Sequence, residues 1–467
     1  MAGEIITQQA VPMPPAARLR RGLLAKLPTR AFARMGWGLA DQAVSSLTNV
    51  AVSFYLVHTL APQQFGAFSL AYTSYGFALN ASRGLSTDPL MVRYSGVEVK
   101  RWRRAVAGAT GTALTVGVTS GIVAVAAAIA LGGVAGAAFL ALGLTLPGLM
   151  LQDSWRFSFF ASGRGGHAFL NDMIWAALLV PAIVVLRLTG HATVFWVLFA
   201  WGAAAGCAAL VGPFQARVIP RMTHTWLWCH LHRDLGPRYL AEGLASNSGV
   251  QARSYGMGFM LGLTSLGYFQ ATSTIYGPVS ILFMALGLVA IPEGARVLRR
   301  SPSKFGLFCV VLAVGMSAIA MAWVAVLLVG MPLGLGRLML GSHWRPTYPL
   351  VLPIGISIVG VAVSSGTGAG LHALGASRKS LAVMISASAM LVAFSLIGAE
   401  LDGVQGACWG TALSQWVASG VWWWQLRVAM REAKLTTPAG SGLFARFRRD
   451  KPAQPPQPRP GAHRAEG

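Results

Sequence analysis

A few charged side chains stand inside stretches of this sequence that are otherwise apolar enough to lie in hydrocarbon, and they are where its chemistry concentrates. Glu242, Ser246, Gly249 and Arg253 recur at the spacing of one helical face, with Asn247 and Gln251 beside them. Eleven residues into an apolar helix, Arg253 lies about 16 Å along its axis, too deep for easy snorkelling. A charge at that depth costs at least ~2.5–3.5 kcal/mol and normally marks a pathway. Its planar guanidinium can grip two phosphate oxygens at once; the structural alternative is a buried ion pair with Asp41 or Glu242. An earlier stripe holds Asp41, Ser45, Thr48 and Val52, widened by Asn49 and Ser53. The next apolar stretch carries Arg83 and Asp88. Arg83 has two readings: it snorkels to the surface or pairs with Asp88, or it enters a cavity. Asp153 and Arg156 stand three residues apart, and Asp172 follows a turn, as a cluster or as a salt-bridged hairpin. A buried carboxylate can take up a proton, so Asp41, Glu242, Asp153 and Asp172, with Arg156, are candidates for cation coupling or gating. Arg253, Arg83, Asn49, Asn247 and Gln251 are candidates for binding a solute.

The elements that must position these groups are membrane helices. Only 11% of the 467 residues are charged and 54% are hydrophobic, far from the balance of a soluble domain. Apolar runs of roughly 20 residues recur, each long enough to span as a helix. Twelve spans are predicted: 37–58, 65–90, 105–130, 135–160, 168–187, 193–215, 240–262, 266–291, 306–329, 348–371, 380–399 and 404–426. With the N-terminus inside, 32 of the 37 Lys and Arg residues fall on inner segments, which sets both termini in the cytoplasm. The net charge of +23 is therefore mostly topological, with some attraction to anionic lipids, and does not point to nucleic acid.

The chain also repeats. Residues 39–76 align without a gap on 240–277, a constant offset of 201, and eleven of the 38 positions are identical. Asp41 falls on Glu242, and Gly66 on Gly267. The expected fold is an all-α polytopic membrane protein: twelve transmembrane helices as two six-helix lobes related by an internal repeat. The domain reading is a basic cytoplasmic tail over 1–36, lobes over 37–215 and 240–426, a cytoplasmic linker over 216–239, and a disordered basic cytoplasmic tail over 427–467. The linker histidines His224, His230 and His232 lack metal spacing, and with Trp226 and Trp228 they read as anchors at the membrane interface. Cys207, Cys229, Cys309 and Cys408 show no metal spacing, and neither a disulfide nor a cleavable signal peptide is expected.

Four segments carry a family resemblance: GWGLADQAVSSLTN, LAPQQFGAFSLAYT, LPGLMLQDSWRFSFFASGRGGHA and LGSHWRPTYPLVLP. Through them the helical region 37–426 resembles the multidrug/oligosaccharidyl-lipid/polysaccharide exporter superfamily, and within it the bacterial polysaccharide-unit (O-antigen type) flippases. The resemblance implies a non-enzymatic transporter of the bacterial inner membrane. It would flip a polyprenyl-pyrophosphate-linked oligosaccharide by alternating access during surface polysaccharide biosynthesis, with a polymerase and glycosyltransferases as functional partners, and without a cofactor. The cationic cavity seen in that family would here draw on Arg253 and Arg83. A cation-coupled multidrug or small-solute antiporter of the same superfamily is the alternative, and it would favour Asp41 and Glu242. An integral membrane glycosyltransferase or ligase is a third class. It is disfavoured because the outer loops offer only Glu400 and Asp402 in one turn, with His58, His191 and His343.

Overall fold

A computed structural model describes residue 48 and residues 52–435, except for a few side chains such as those of 245–247. Asp41 and Asn49 lie outside the described residues, as does the side chain of Asn247. Every regular element among the described residues is helical, as expected where backbone groups must be satisfied within hydrocarbon. Among the described residues, seven stretches are long and apolar enough to cross a membrane. The described residues are thus all-helical, with the make-up of a multi-pass membrane protein.

The chain divides into two compact units, Met1–Ser254 with Gly262–Gln270, and Tyr255–Leu261 with Ala271–Gly467. In the first, α1 (Pro62–Ser82) runs through a π turn (Arg83–Thr87) into α2 (Asp88–Tyr94). Then follow α3 (Val99–Leu131), α4 (Gly133–Ala161), α5 (Gly165–Leu188), α6 (Val194–Ala216), the short α7 (Thr225–Leu231), and much of α8 (Gly236–Thr274). Its core gathers Leu90, Val106, Trp155, Phe159 and Trp228 at the end where α2, α3, α4 and α7 meet. The second unit holds α9 (Gly277–Arg300), α10 (Phe305–Gly330), the one-turn α11 (Gly336–Leu340), α12 (Trp344–Ala373) and α13 (Ser377–Leu435). Its apolar clusters centre on Phe305, Cys309 and Leu371, and on Val279, Met316 and Ala362.

Breaks in these helices have local causes. In α13, Asp402 and Gly403 leave the helical region, between the predicted spans 380–399 and 404–426. In α8, Gly262 takes φ 78°, where the predicted span 240–262 ends. The predicted span 266–291 is not continuous: the chain turns at Ile275 and Tyr276 before α9. Pro278 cannot donate a backbone hydrogen bond there. The Trp323 indole N–H donates to the Ile275 carbonyl at 3.0 Å, and the Tyr276 hydroxyl donates to the Val351 carbonyl at 2.6 Å.

One contact in the first unit joins positions that the repeat aligns. A Cβ on Gly66 would lie 1.8 Å from the Leu263 carbonyl oxygen, and one on Gly267 would lie 2.0 Å from that of Pro62. Gly66 and Gly267 are 201 apart, and so are Pro62 and Leu263. The approach is therefore reciprocal, as a two-fold relation would make it. Only glycine on both sides permits backbones this close.

Candidate functional site

Arg83 opens the π turn, and the sequence around it explains why. Pro89 has no N–H to give the Leu85 carbonyl, four residues back. That oxygen instead accepts the Trp228 indole N–H at 3.0 Å. The Asp88 N–H reaches back to the Arg83 carbonyl, closing the wider turn. Such single π turns recur at functional sites, where they re-aim one side chain.

The side chain so aimed neither snorkels nor pairs with Asp88. Its Nε donates to Asp153 Oδ2 at 2.9 Å and its Nη2 to Oδ1 at 2.6 Å, a two-pronged grip across the bundle. The guanidinium also lies over the Phe157 ring, 4.9 Å from its centroid. Asp153 is buried, 5% exposed. The partner of Asp153 is thus Arg83 on another helix, not its near neighbour Arg156. Arg156 turns to Asp172, with Nε 3.6 Å from Oδ2, and Gln152 Nε2 donates to Asp172 Oδ1 at 2.6 Å. The Arg156–Asp172 pair does bridge the α4–α5 hairpin, as one reading anticipated.

These four charges surround one cavity of about 150 Å³. Tyr72, Tyr75, Trp175 and Trp201 supply its aromatic walls, and the edge of Tyr75 meets Trp201 at 4.9 Å. Two arginines and two aspartates make the lining neutral in sum, with each carboxylate facing a guanidinium. Sequence reasoning missed Tyr75, Gln152, Trp175 and Trp201. The available signal was the i, i+3 spacing of Tyr72 and Tyr75 on the face that carries Arg83.

The second stripe is placed elsewhere. Arg253 does not line this cavity; it is half-buried, with its guanidinium 4.7 Å from the Phe269 ring centroid. Two residues earlier, Gln251 is buried and its side-chain carbonyl oxygen has no hydrogen-bond partner among the described residues. Its amide nitrogen lies 3.0 Å from where a Cβ on Gly76 would be. Glu242 is exposed near the start of α8. The structure thus brings Arg83, Asp153, Arg156 and Asp172 together and leaves Arg253 and Gln251 on another helix.

In the second unit a cavity of about 370 Å³ is lined by Glu293, Arg296, Arg300 and Lys304, one acid among three bases rather than two matched pairs. A cavity of about 280 Å³ there is lined by Phe283, Met316, Ser364, Ser365 and His372, among others, without a carboxylate or guanidinium. Ser365 turns its hydroxyl back to the Ala362 carbonyl at 2.7 Å.

The architecture matches solved structures of one transporter class. An inward-facing multidrug resistance MATE family transporter of the MOP superfamily superposes with TM-score 0.63 at 15% identity, over 86% of this chain and 99% of that one. The lipid II flippase MurJ in an inward closed conformation gives 0.61 at 10% identity, over 90% and 94%. A MOP superfamily transporter from Pyrococcus furiosus, described as having a binding pocket of reverse polarity that suggests a different function, gives 0.50 at 16% identity, over 88% and 97%. The fold is that of MOP superfamily transporters. No protein-family profile matches the sequence, and no curated protein matches it. At these identities the MOP likeness speaks for the fold, and the named structures are transporters and a flippase, not enzymes.

The linker also differs from expectation. Trp226 is exposed, as an interfacial anchor would be, but Trp228 and His232 are buried and pack ring against ring at 4.0 Å. His232 Nδ1 is 2.8 Å from the Trp228 carbonyl oxygen. Arg93 ties the segment down by donating to the Leu231 carbonyl and to Asp234. Burial holds the His232 imidazole below its usual value; the Trp228 carbonyl opposes this, Arg93 adds to it and Asp234 opposes it. A depressed histidine contributes stability that is full above its unfolded value of about 6.5 and is lost as pH falls through that value. Purified protein should therefore melt at a lower temperature at about pH 5.5 than at about pH 7.5. His232→Phe should flatten that difference in a thermal scan, and an unchanged slope would remove His232 as its source.

Proposed function

We propose that the chain flips a polyprenyl-diphosphate-linked oligosaccharide across the cytoplasmic membrane for surface polysaccharide biosynthesis. It works by alternating access of two six-helix lobes related by the internal repeat. The reciprocal approach of Gly66 and Gly267 supports the repeat, since a two-fold relation is what makes each glycine meet the partner's aligned carbonyl. The single observation that favours a flippase over a cation-coupled antiporter is the neutralised acid pair. Asp153 is gripped by Arg83, and Asp172 faces Arg156 with Gln152 bonded to it, so neither carboxylate presents an unmatched negative charge to a cationic drug. Arg253 and the buried Gln251 amide are the groups of this reading that bind the diphosphate and its sugar. Both termini face the cytoplasm, which puts the basic segments on the side where the lipid-linked unit is made.

The test is flipping in proteoliposomes, using a fluorescent polyprenyl-diphosphate sugar and an impermeant quencher. Accelerated loss of inner-leaflet protection is expected, with no uptake of a cationic dye against a proton or sodium gradient. Dye transport without lipid flipping would establish the antiporter instead. In that case Asp153→Asn or Asp172→Asn should abolish the gradient dependence; if the gradient dependence survives both changes, neither acid couples transport.

A further inference from the structure

A further cavity of the first unit belongs to neither group of residues considered so far. It has a volume of about 790 Å³ and is lined by Arg101, Arg103, Arg104, Arg217 and Arg221, with His224, and by no aspartate or glutamate. Among the described residues, none of the five guanidinium groups has a carboxylate partner. Arg103 Nε is buried with no hydrogen-bond acceptor, an orphan donor on the cavity wall.

The arrangement is built rather than incidental. Three of the arginines stand on the first turns of α3, whose unpaired N–H groups add positive potential. The other two come from the segment after α6, which is laid against α3. The Arg221 N–H donates to the Ala107 carbonyl at 3.0 Å. A Cβ on Gly111 would lie 2.1 Å from the Arg221 carbonyl oxygen, so the close approach depends on that glycine. The Thr115 and Thr225 hydroxyls meet at 2.8 Å and pin the far end. Arg217 takes φ 53° and ψ 47°, the only non-glycine positive φ among the described residues. A strained backbone of this kind persists where its surroundings hold it in place, and it commonly marks a functional position.

We propose that this cavity binds the phosphate headgroup of an anionic membrane lipid. Guanidinium groups that line one cavity without counter-charges fit a phosphate ester, whose oxygens accept paired N–H donors. A lipid rather than a soluble phosphate is favoured by the rim: Ile219, Leu227 and Leu231 line the cavity, yet they are exposed, as is the neighbouring Trp226. Such side chains at a membrane surface cover acyl chain beside the headgroup. The site stands independently of the substrate proposed for transport.

The experiment uses the purified full-length chain in detergent. Binding of phosphatidylglycerol, phosphatidylcholine and inorganic diphosphate is followed by native mass spectrometry and thermal shift. The wild type should retain phosphatidylglycerol in preference to phosphatidylcholine. Arg103→Gln with Arg221→Gln should weaken that binding by roughly tenfold or more, since each basic residue near the surface contributes to the attraction. Arg104→Gln alone, at an exposed position, should weaken it less and keeps the test valid if the double variant does not fold. Arg296→Gln with Arg300→Gln, at a smaller cavity of about 370 Å³ where Arg296 already bonds Glu293, should leave it unchanged. Phosphatidylglycerol binding unaltered by the changes at Arg103, Arg104 and Arg221 would overturn the site. Equal stabilisation by inorganic diphosphate, with nothing further from the lipid, would overturn the lipid assignment.

Discussion

Replacing Arg253 with alanine should abolish flipping of the lipid-linked sugar while leaving the protein inserted and folded. Arg253 sits half-buried over the Phe269 ring on an apolar helix, so it already bears the cost of placing a guanidinium there. Each charge-assisted hydrogen bond to a phosphate oxygen is worth about 1.5–3 kcal/mol, so losing the two-pronged grip costs roughly a hundredfold or more in rate. Arg253→Lys keeps the charge and the contact with Phe269 but not the planar fork. It should therefore fold normally and flip the substrate poorly. The measurement is the proteoliposome assay, or surface polysaccharide in cells, at matched protein levels. Full activity of Arg253→Ala would remove the anchoring role and favour the antiporter.

The second large effect is on stability. Arg83→Ala leaves the Asp153 carboxylate, whose side chain is only 7% exposed, without its counter-charge. Breaking a buried pair from one side typically costs about 3–5 kcal/mol. Asp153→Ala should cost a similar amount by stranding the guanidinium, discounted because the Arg83 side chain is 32% exposed. Changing both residues together, Arg83→Met with Asp153→Leu, should cost less than the sum of the two single changes, because no charge is then left alone. Arg83→Lys should be milder than Arg83→Ala. Melting temperature and monodispersity in detergent read all four variants. Additive losses in the double variant would mean that the two residues act separately.

Much of this could be argued from the sequence alone. Composition, run length and the clustering of basic residues in alternate segments between the apolar runs led to a multi-pass helical protein, because hydrocarbon tolerates little else. The offset of 201 placed Gly66 on Gly267, and Gly262 and Asp402–Gly403 interrupt helices where predicted spans end. What the spacing rules could not supply was the partner of each charge. Local spacing grouped Asp153, Arg156 and Asp172 without assigning partners, and offered Asp88 to Arg83. In the structure Arg83 reaches Asp153, 70 positions on, because Pro89 and Trp228 together turn that stretch of helix. Likewise the arginines at 101–104 and at 217 and 221 read as topogenic charges scattered over two segments. Only the close approach at Gly111 gathers them around one cavity. Helical periodicity describes one helix at a time, and the choice of ion-pair partner depends on distances between helices, which packing alone decides.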